Sequence, residues 1–136
     1  EIEMIRMQSK QHPLETLEPV ADLHDIVELQ MLAKETHIDD AVVRYAVLIV
    51  RKTREIPELY LGASPRATNS LVQAAKAYAV VRERDYVLPD DIKYLAPFVL
   101  GHRLLLQPDA RLEGAAVETV VRAVLEQVEA PVRLER

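Results

Sequence analysis

Apolar residues recur along this chain at three- and four-residue spacings, the signature of amphipathic helices, and the gaps between them carry helix punctuation. Asp22 stands as an N-cap ahead of Leu23, Ile26, Val27 and Met31, which predicts a helix ending near Lys34. Thr36-His37-Ile38 is a short connector, and Asp39 caps a second helix over 41–54. There Val42, Val43, Tyr45, Ala46, Val47, Leu48, Ile49 and Val50 cover nearly the whole circumference. A helix apolar all round is a buried one, so this segment is expected at the centre of the domain. Residues 55–62, with Pro57, read as a loop. Ser64 as N-cap and Pro65 at N1 open a third helix reaching about Arg82, with Ala67, Leu71, Ala74, Ala75 and Tyr78 as its buried stripe. Asp85-Tyr86-Val87 suits no more than a β-bridge. Pro89-Asp90-Asp91 opens a fourth helix whose apolar face is Ile92, Leu95, Phe98 and Val99, ended or kinked at Pro97. Leu104-Leu105-Leu106 is a short extended segment or a helix tail, and 107–114 is polar and loop-like. Val117, Val120, Val121, Val124, Leu125 and Val128 form the stripe of a last helix over 115–129. The pattern predicts an all-α bundle with at most two very short bridging strands, at Ile38 and Val87.

Upstream, residues 1–8 read as a helix stub and 12–20, with Pro13 and Pro19, as a loop. The chain opens inside an amphipathic pattern with no initiator Met and no cap, so it is expected to be cut from a longer protein. Length allows one domain, and 49% hydrophobic residues allow it a compact core. A net charge of -5 disfavours nucleic acid. The absence of cysteine excludes disulfides and thiolate metal sites and fits a cytoplasmic protein. No apolar run approaches membrane-spanning length.

The search for chemistry begins with what is missing. None of the three glycines lies in a G-x-x-x-x-G-K-[ST] phosphate loop, no two of the four histidines share an i, i+4 spacing, and there is no G-x-S-x-G elbow. A self-contained active site is not expected. One stretch stands out. Leu61-Gly62-Ala63-Ser64-Pro65-Arg66-Ala67 sets a glycine, a cap, a helix start and an arginine in succession. A helix N-terminus offers open N–H groups and a positive dipole end, and Arg66 adds a planar, permanent cation, a combination that suits a phosphate oxygen. The same residues also serve as plain punctuation of a helix start, although an arginine there opposes the dipole. Arg51, Lys52, Arg54, Arg82 and Arg84 could form a basic patch, but each group ends a helix, where solvated cations are ordinary. Asp90 and Asp91 read as first-turn acids, Tyr60 as hydrophobic packing or an adenine neighbour, and His102-Arg103 as a helix-end pair or a subunit contact.

Residues 62–67, Gly-Ala-Ser-Pro-Arg-Ala, resemble the sensor 2 motif of MoxR-type AAA+ ATPases. Arg84-Asp85-Tyr86-Val87-Leu88-Pro89-Asp90-Asp91-Ile92 resembles that family's R-D-Y-V-x-P-D-D-[IV] segment. Residues 95–104, Leu-Ala-Pro-Phe-Val-Leu-Gly-His-Arg-Leu, resemble its L-A-P-x-V-L-x-H-R-L segment. Three motifs in the family's order are specific where one alone would be weak. The resemblance implies an AAA+ lid-type helical bundle over 11–136, with 1–10 a helix continuing from an upstream AAA+ large domain. It implies a chaperone-like, ring-forming parent that binds ATP and Mg²⁺ and hydrolyses ATP. The expected partners are that large domain, neighbouring subunits of a hexameric ring, and a von Willebrand A domain protein. The family's sensor 2 arginine carries over to Arg66, which would reach the γ-phosphate from the lid, with Pro65 and Ser64 beside it. The parent is then an ATPase, and this chain alone is expected to be inactive. The competing reading is a stand-alone helical module that binds protein or DNA and has no nucleotide role; salt-dependent DNA binding would favour it.

Overall fold

The computed structural model describes residues 17–131. The helix expected over 1–10 lies outside them. Helix α1 (Leu23–Glu35) starts at a reciprocal capping box: the Asp25 N–H donates to Asp22 Oδ1 at 2.9 Å and the Asp22 N–H to Asp25 Oδ2 at 2.8 Å. It lies along the third helix, where Lys76 Nζ donates to the Lys34 carbonyl at 3.1 Å, yet it buries none of its residues. Ile26, Val27, Leu29, Met31 and Leu32 all remain about half exposed.

Helix α2 (Asp40–Lys52) starts where the Ala41 N–H donates to Asp39 Oδ1 at 2.7 Å. It is central, but it is not buried all round. Val42, Tyr45, Ala46, Ile49 and Val50 face the core, while Leu48 is exposed and Val43 and Val47 lie between. The Tyr45 hydroxyl is buried without a hydrogen-bond partner among the described residues. Burial raises its pKa, with the Asp90 charge adding in the same direction, so the phenol is held neutral.

A 3-10 turn (Thr53–Glu55) and strand β1 (Leu59–Leu61) replace the loop expected over 55–62. β1 pairs antiparallel with β2 (Leu105–Leu106), Leu59 opposite Leu106 and Leu61 opposite Leu105, with an irregularity between. Strands of three and two residues are too short for a period-2 pattern to register in sequence. The bridge expected at Ile38 and Val87 forms one residue earlier in both segments. His37 pairs parallel with Tyr86, through His37 N–H to the Asp85 carbonyl (2.8 Å) and Val87 N–H to the His37 carbonyl (3.0 Å).

Helix α3 (Pro65–Val81) buries Ala67, Leu71, Ala75 and Ala79, a row spaced by four. Ala74 and Tyr78, expected in that stripe, are only half-buried at its flank. Helix α4 (Pro89–Leu100) buries the matching row Ile92, Ala96 and Leu100. Rows at i±4 interdigitate when two helices pack, and α3 against α4 is the most extensive helix contact of the domain. Phe98 lies outside this row and is exposed, contrary to its expected place on the apolar face. Pro97 does not end the helix: it runs on to Leu100 and a 3-10 turn (Gly101–Arg103), although the proline removes the N–H that would meet the Lys93 carbonyl and crowds that carbonyl with its ring. Residues 107–114 are not simply a loop. They hold helix α5 (Pro108–Leu112), closed by Gly114 at φ 87° and an Ala115 N–H to Ala110 carbonyl bond of 2.9 Å. Helix α6 (Val117–Gln127) sets Val120, Val121 and Val124 into the core.

α3 ends through the same device without a glycine. Glu83 takes φ 55° while the Arg84 N–H donates to the Ala79 carbonyl at 2.9 Å. A left-handed conformation disfavours any residue with a Cβ. Glu83→Gly is therefore expected to raise stability by up to about 1 kcal/mol, read as a higher urea midpoint. A lowered midpoint would mean that the Glu83 side chain contributes more than its backbone loses.

Candidate functional site

The stretch 62–67 is held from behind. β1 delivers the chain to Gly62, which lies hard against the 3-10 turn; a Cβ there would sit 2.8 Å from Arg54 Cα, Arg54 N and the Thr53 carbonyl oxygen. Thr53, fully buried, donates its hydroxyl to the Val50 carbonyl at 2.6 Å and accepts the Ala63 N–H at 2.9 Å. Arg54 Nε donates to the Ala63 carbonyl at 2.9 Å. Both backbone groups of the buried Ala63 are thus tied to the turn that ends α2. Gly62→Ala is expected to destabilise the domain by about 1–3 kcal/mol, because the clash is with backbone that cannot swing away. Urea unfolding with an unchanged midpoint would contradict this.

Past Ala63 the chain comes to the surface. Ser64 occupies the N-cap position with extended backbone, but its side chain makes no capping hydrogen bond, and the Ala67 N–H donates instead to the Ser64 carbonyl at 2.9 Å. Pro65 at N1 has no N–H to satisfy. Arg66 follows as the second helical residue, exposed, and its guanidinium makes no hydrogen bond or ion pair with the described residues. Ser64, Pro65 and Arg66 are therefore consecutive on one exposed helix start, as their spacing predicts. The serine's hydroxyl is left over rather than used as a cap.

The basic residues do not form one patch. Lys52 pairs with Glu55 at 3.1 Å, Arg54 holds Ala63, and Arg82 lies over the Tyr78 ring at 5.4 Å. Arg84 makes a two-pronged contact with Asp91, at 2.9 and 2.7 Å, and also donates to the Tyr86 carbonyl. Asp91 is accordingly more than a first-turn acid: it is buried and also accepts the Leu88 N–H at 2.7 Å. Tyr60 is 72% exposed, so the expected hydrophobic packing does not occur. Arg103, expected at a helix end, also reaches Ser70 on α3, 3.0 Å from its hydroxyl. Sequence reasoning missed Thr53, Ser70 and the Ala63 ties. Only the basic run around Thr53 hinted at them, and it had an ordinary explanation.

The AAA lid domain family matches residues 51–125, which include the ties at Thr53 and Arg54, the helix start at Arg66 and the Arg84–Asp91 pair. Chaperone MoxR1 of Mycobacterium tuberculosis is 38% identical over 116 residues, 79% of this chain and 31% of its own length. The chain belongs to the lid domains of MoxR-family AAA+ ATPases. The uncharacterized protein YeaC of Bacillus subtilis is 47% identical to this lid over 133 residues, 98% of the chain. A Cytophaga hutchinsonii protein solved as a candidate ATPase superposes on the lid with a TM-score of 0.84 at 27% identity, covering 96% of it. The lid spans 42% of the length of each of the last two proteins, less than half. No described helix is long and apolar enough to cross a membrane.

Proposed function

We propose that the lid serves a ring-forming, chaperone-like ATPase by presenting Arg66 to the γ-phosphate of ATP held, with Mg²⁺, on a large domain of the same protein. One observation carries this reading: an exposed guanidinium with no partner among the described residues, on a helix start whose supporting loop is tied down. Other arginines, Arg44, Arg51 and Arg122 among them, are also exposed with no described partner, so the weight falls on position: Arg66 is the second residue of α3, where a cation opposes the helix dipole. The Ser64 hydroxyl and the Arg66 N–H, at the positive end of α3, face the same solvent and would add neutral donors. The same reading takes in a hexameric ring, a von Willebrand A domain partner and a place in the cytoplasm, as the family resemblance implies, with residues 11–136 as the moving unit.

Calorimetry tests the reading. The full-length protein is expected to prefer ATP over ADP, and Arg66→Ala to lose that preference while keeping its ADP affinity, because only the terminal phosphate would meet the arginine. The lid alone is expected to give no heat with ATP, since it lacks a phosphate loop. An Arg66→Ala protein that still discriminates the two nucleotides, or micromolar ATP binding by the lid alone, would overturn the assignment.

A further inference from the structure

We infer that Arg103 is a positioning residue for Arg66 and acts through Ser70; this rests on the reading of Arg66 as the arginine that meets the nucleotide. Arg103 lies in the 3-10 turn after α4, 33 residues from Ser70 in sequence. Its Nη1 donates to Ser70 Oγ at 3.0 Å, and the Ser70 hydroxyl donates in turn to the Arg66 carbonyl at 3.2 Å. The Arg103 Nε donates to His102 Nε2 at 3.1 Å, a second contact on the same guanidinium. A chain of two hydrogen bonds therefore runs from the end of α4 to the backbone of Arg66.

The first turn of α3 needs such a hold. Ser64 gives no side-chain cap, so one of the usual anchors of a helix start is missing. The ties at Ala63 restrain the turn from behind, on the side of the core. Among the described residues no hydrogen bond or ion pair restrains the Arg66 side chain itself. Besides the packing of the helix's buried face, the Ser70 relay is a polar lateral restraint, set one helical turn along α3. A serine that bonds back to the carbonyl four residues earlier competes for that carbonyl with the helix ladder. A charged donor on the same hydroxyl polarises it and strengthens that competing bond. Arg103 therefore ties α3 to the end of α4 one turn beyond Arg66, and the Ser70 bond passes that tie to the Arg66 carbonyl, so it tunes the geometry of the first turn that carries the Arg66 side chain.

The test is steady-state ATP turnover of the full-length protein carrying Arg66→Ala, Ser70→Ala, Arg103→Ala and their pairwise combinations. Ser70→Ala and Arg103→Ala are each expected to lower kcat by about tenfold with little change in KM, short of the hundredfold that an ångström of misplacement can cost. The Ser70–Arg103 double variant should be no worse than either single one, and neither change should matter once Arg66 is alanine. Ser70→Ala removes the relay while favouring the helix, so it decides the matter even where Arg103→Ala folds poorly. If Arg66→Ala lowers turnover while Ser70→Ala leaves it unchanged, the relay is refuted and the reading of Arg66 stands. Losses that multiply with that of Arg66→Ala would show Arg103 acting on its own and would also refute the relay. Unchanged turnover in Arg66→Ala removes both.

Discussion

Replacing Arg66 by alanine in the full-length protein is expected to lower ATP turnover by about 10- to 100-fold, which corresponds to one charge-assisted hydrogen bond of roughly 1.5–3 kcal/mol to a phosphate oxygen. Arginines that neutralise a transferring phosphoryl group from within a closed site can contribute more, about 10³–10⁵. The lower figure is chosen because Arg66 is exposed on the lid and must be brought to the phosphate by a second domain. The fold should be indifferent to the change: the side chain contacts no described polar group, and exposed substitutions of this kind usually stay within about 0.5 kcal/mol. Arg66→Lys should recover only part of the rate, since an ammonium keeps the charge but loses the planar fork. Turnover equal to that of the parent protein would show that Arg66 is helix punctuation and nothing more.

The second large effect falls on stability. Arg84 and Asp91 join the end of α3 to the start of α4, with side chains 19% and 6% exposed. Arg84→Met is expected to destabilise the domain by about 3 kcal/mol, because it leaves a buried carboxylate with only the Leu88 N–H as partner. Arg84→Met with Asp91→Leu should recover much of this, though not the Leu88 bond. Asp91→Asn should cost less than Arg84→Met, since the arginine is the more exposed partner and can turn to water. Urea unfolding of the four proteins measures these differences. A loss below about 0.5 kcal/mol in Arg84→Met would mean that the pair is screened like an exposed one.

The first four helices were legible because each carries both a periodic stripe and a start signal, and α6 was legible from its stripe alone. Asp22, Asp39, Pro65 and Pro89 mark starts that the structure keeps within a residue. Which face is buried was less legible. Leu48 and Phe98 are apolar but lie off the four-residue rows, and hydropathy alone cannot separate a core position from an apolar one facing out. The β1–β2 ribbon was missed because its pairing is long-range and very short, and α5 because five residues with a proline read as turn chemistry. At the candidate site, the order Ser64-Pro65-Arg66 was readable. Its support was not: Thr53 and Arg54 meet Ala63 across nine or ten residues, and Arg103 meets Ser70 across 33.

Six alanines in the interior, at 46, 63, 67, 75, 79 and 96, are completely inaccessible. An alanine has no χ angle, so it has no alternative rotamer into which a displacement can relax. Where leucine or methionine cores can yield by re-sorting side chains, backbones pressed together through methyl groups must move together or not at all. Leu71, Ile92 and Leu100 lie among these alanines and keep some freedom to re-sort, but along the alanine positions a pull at the Arg66 end of α3 is expected to be passed to its neighbours by backbone movement.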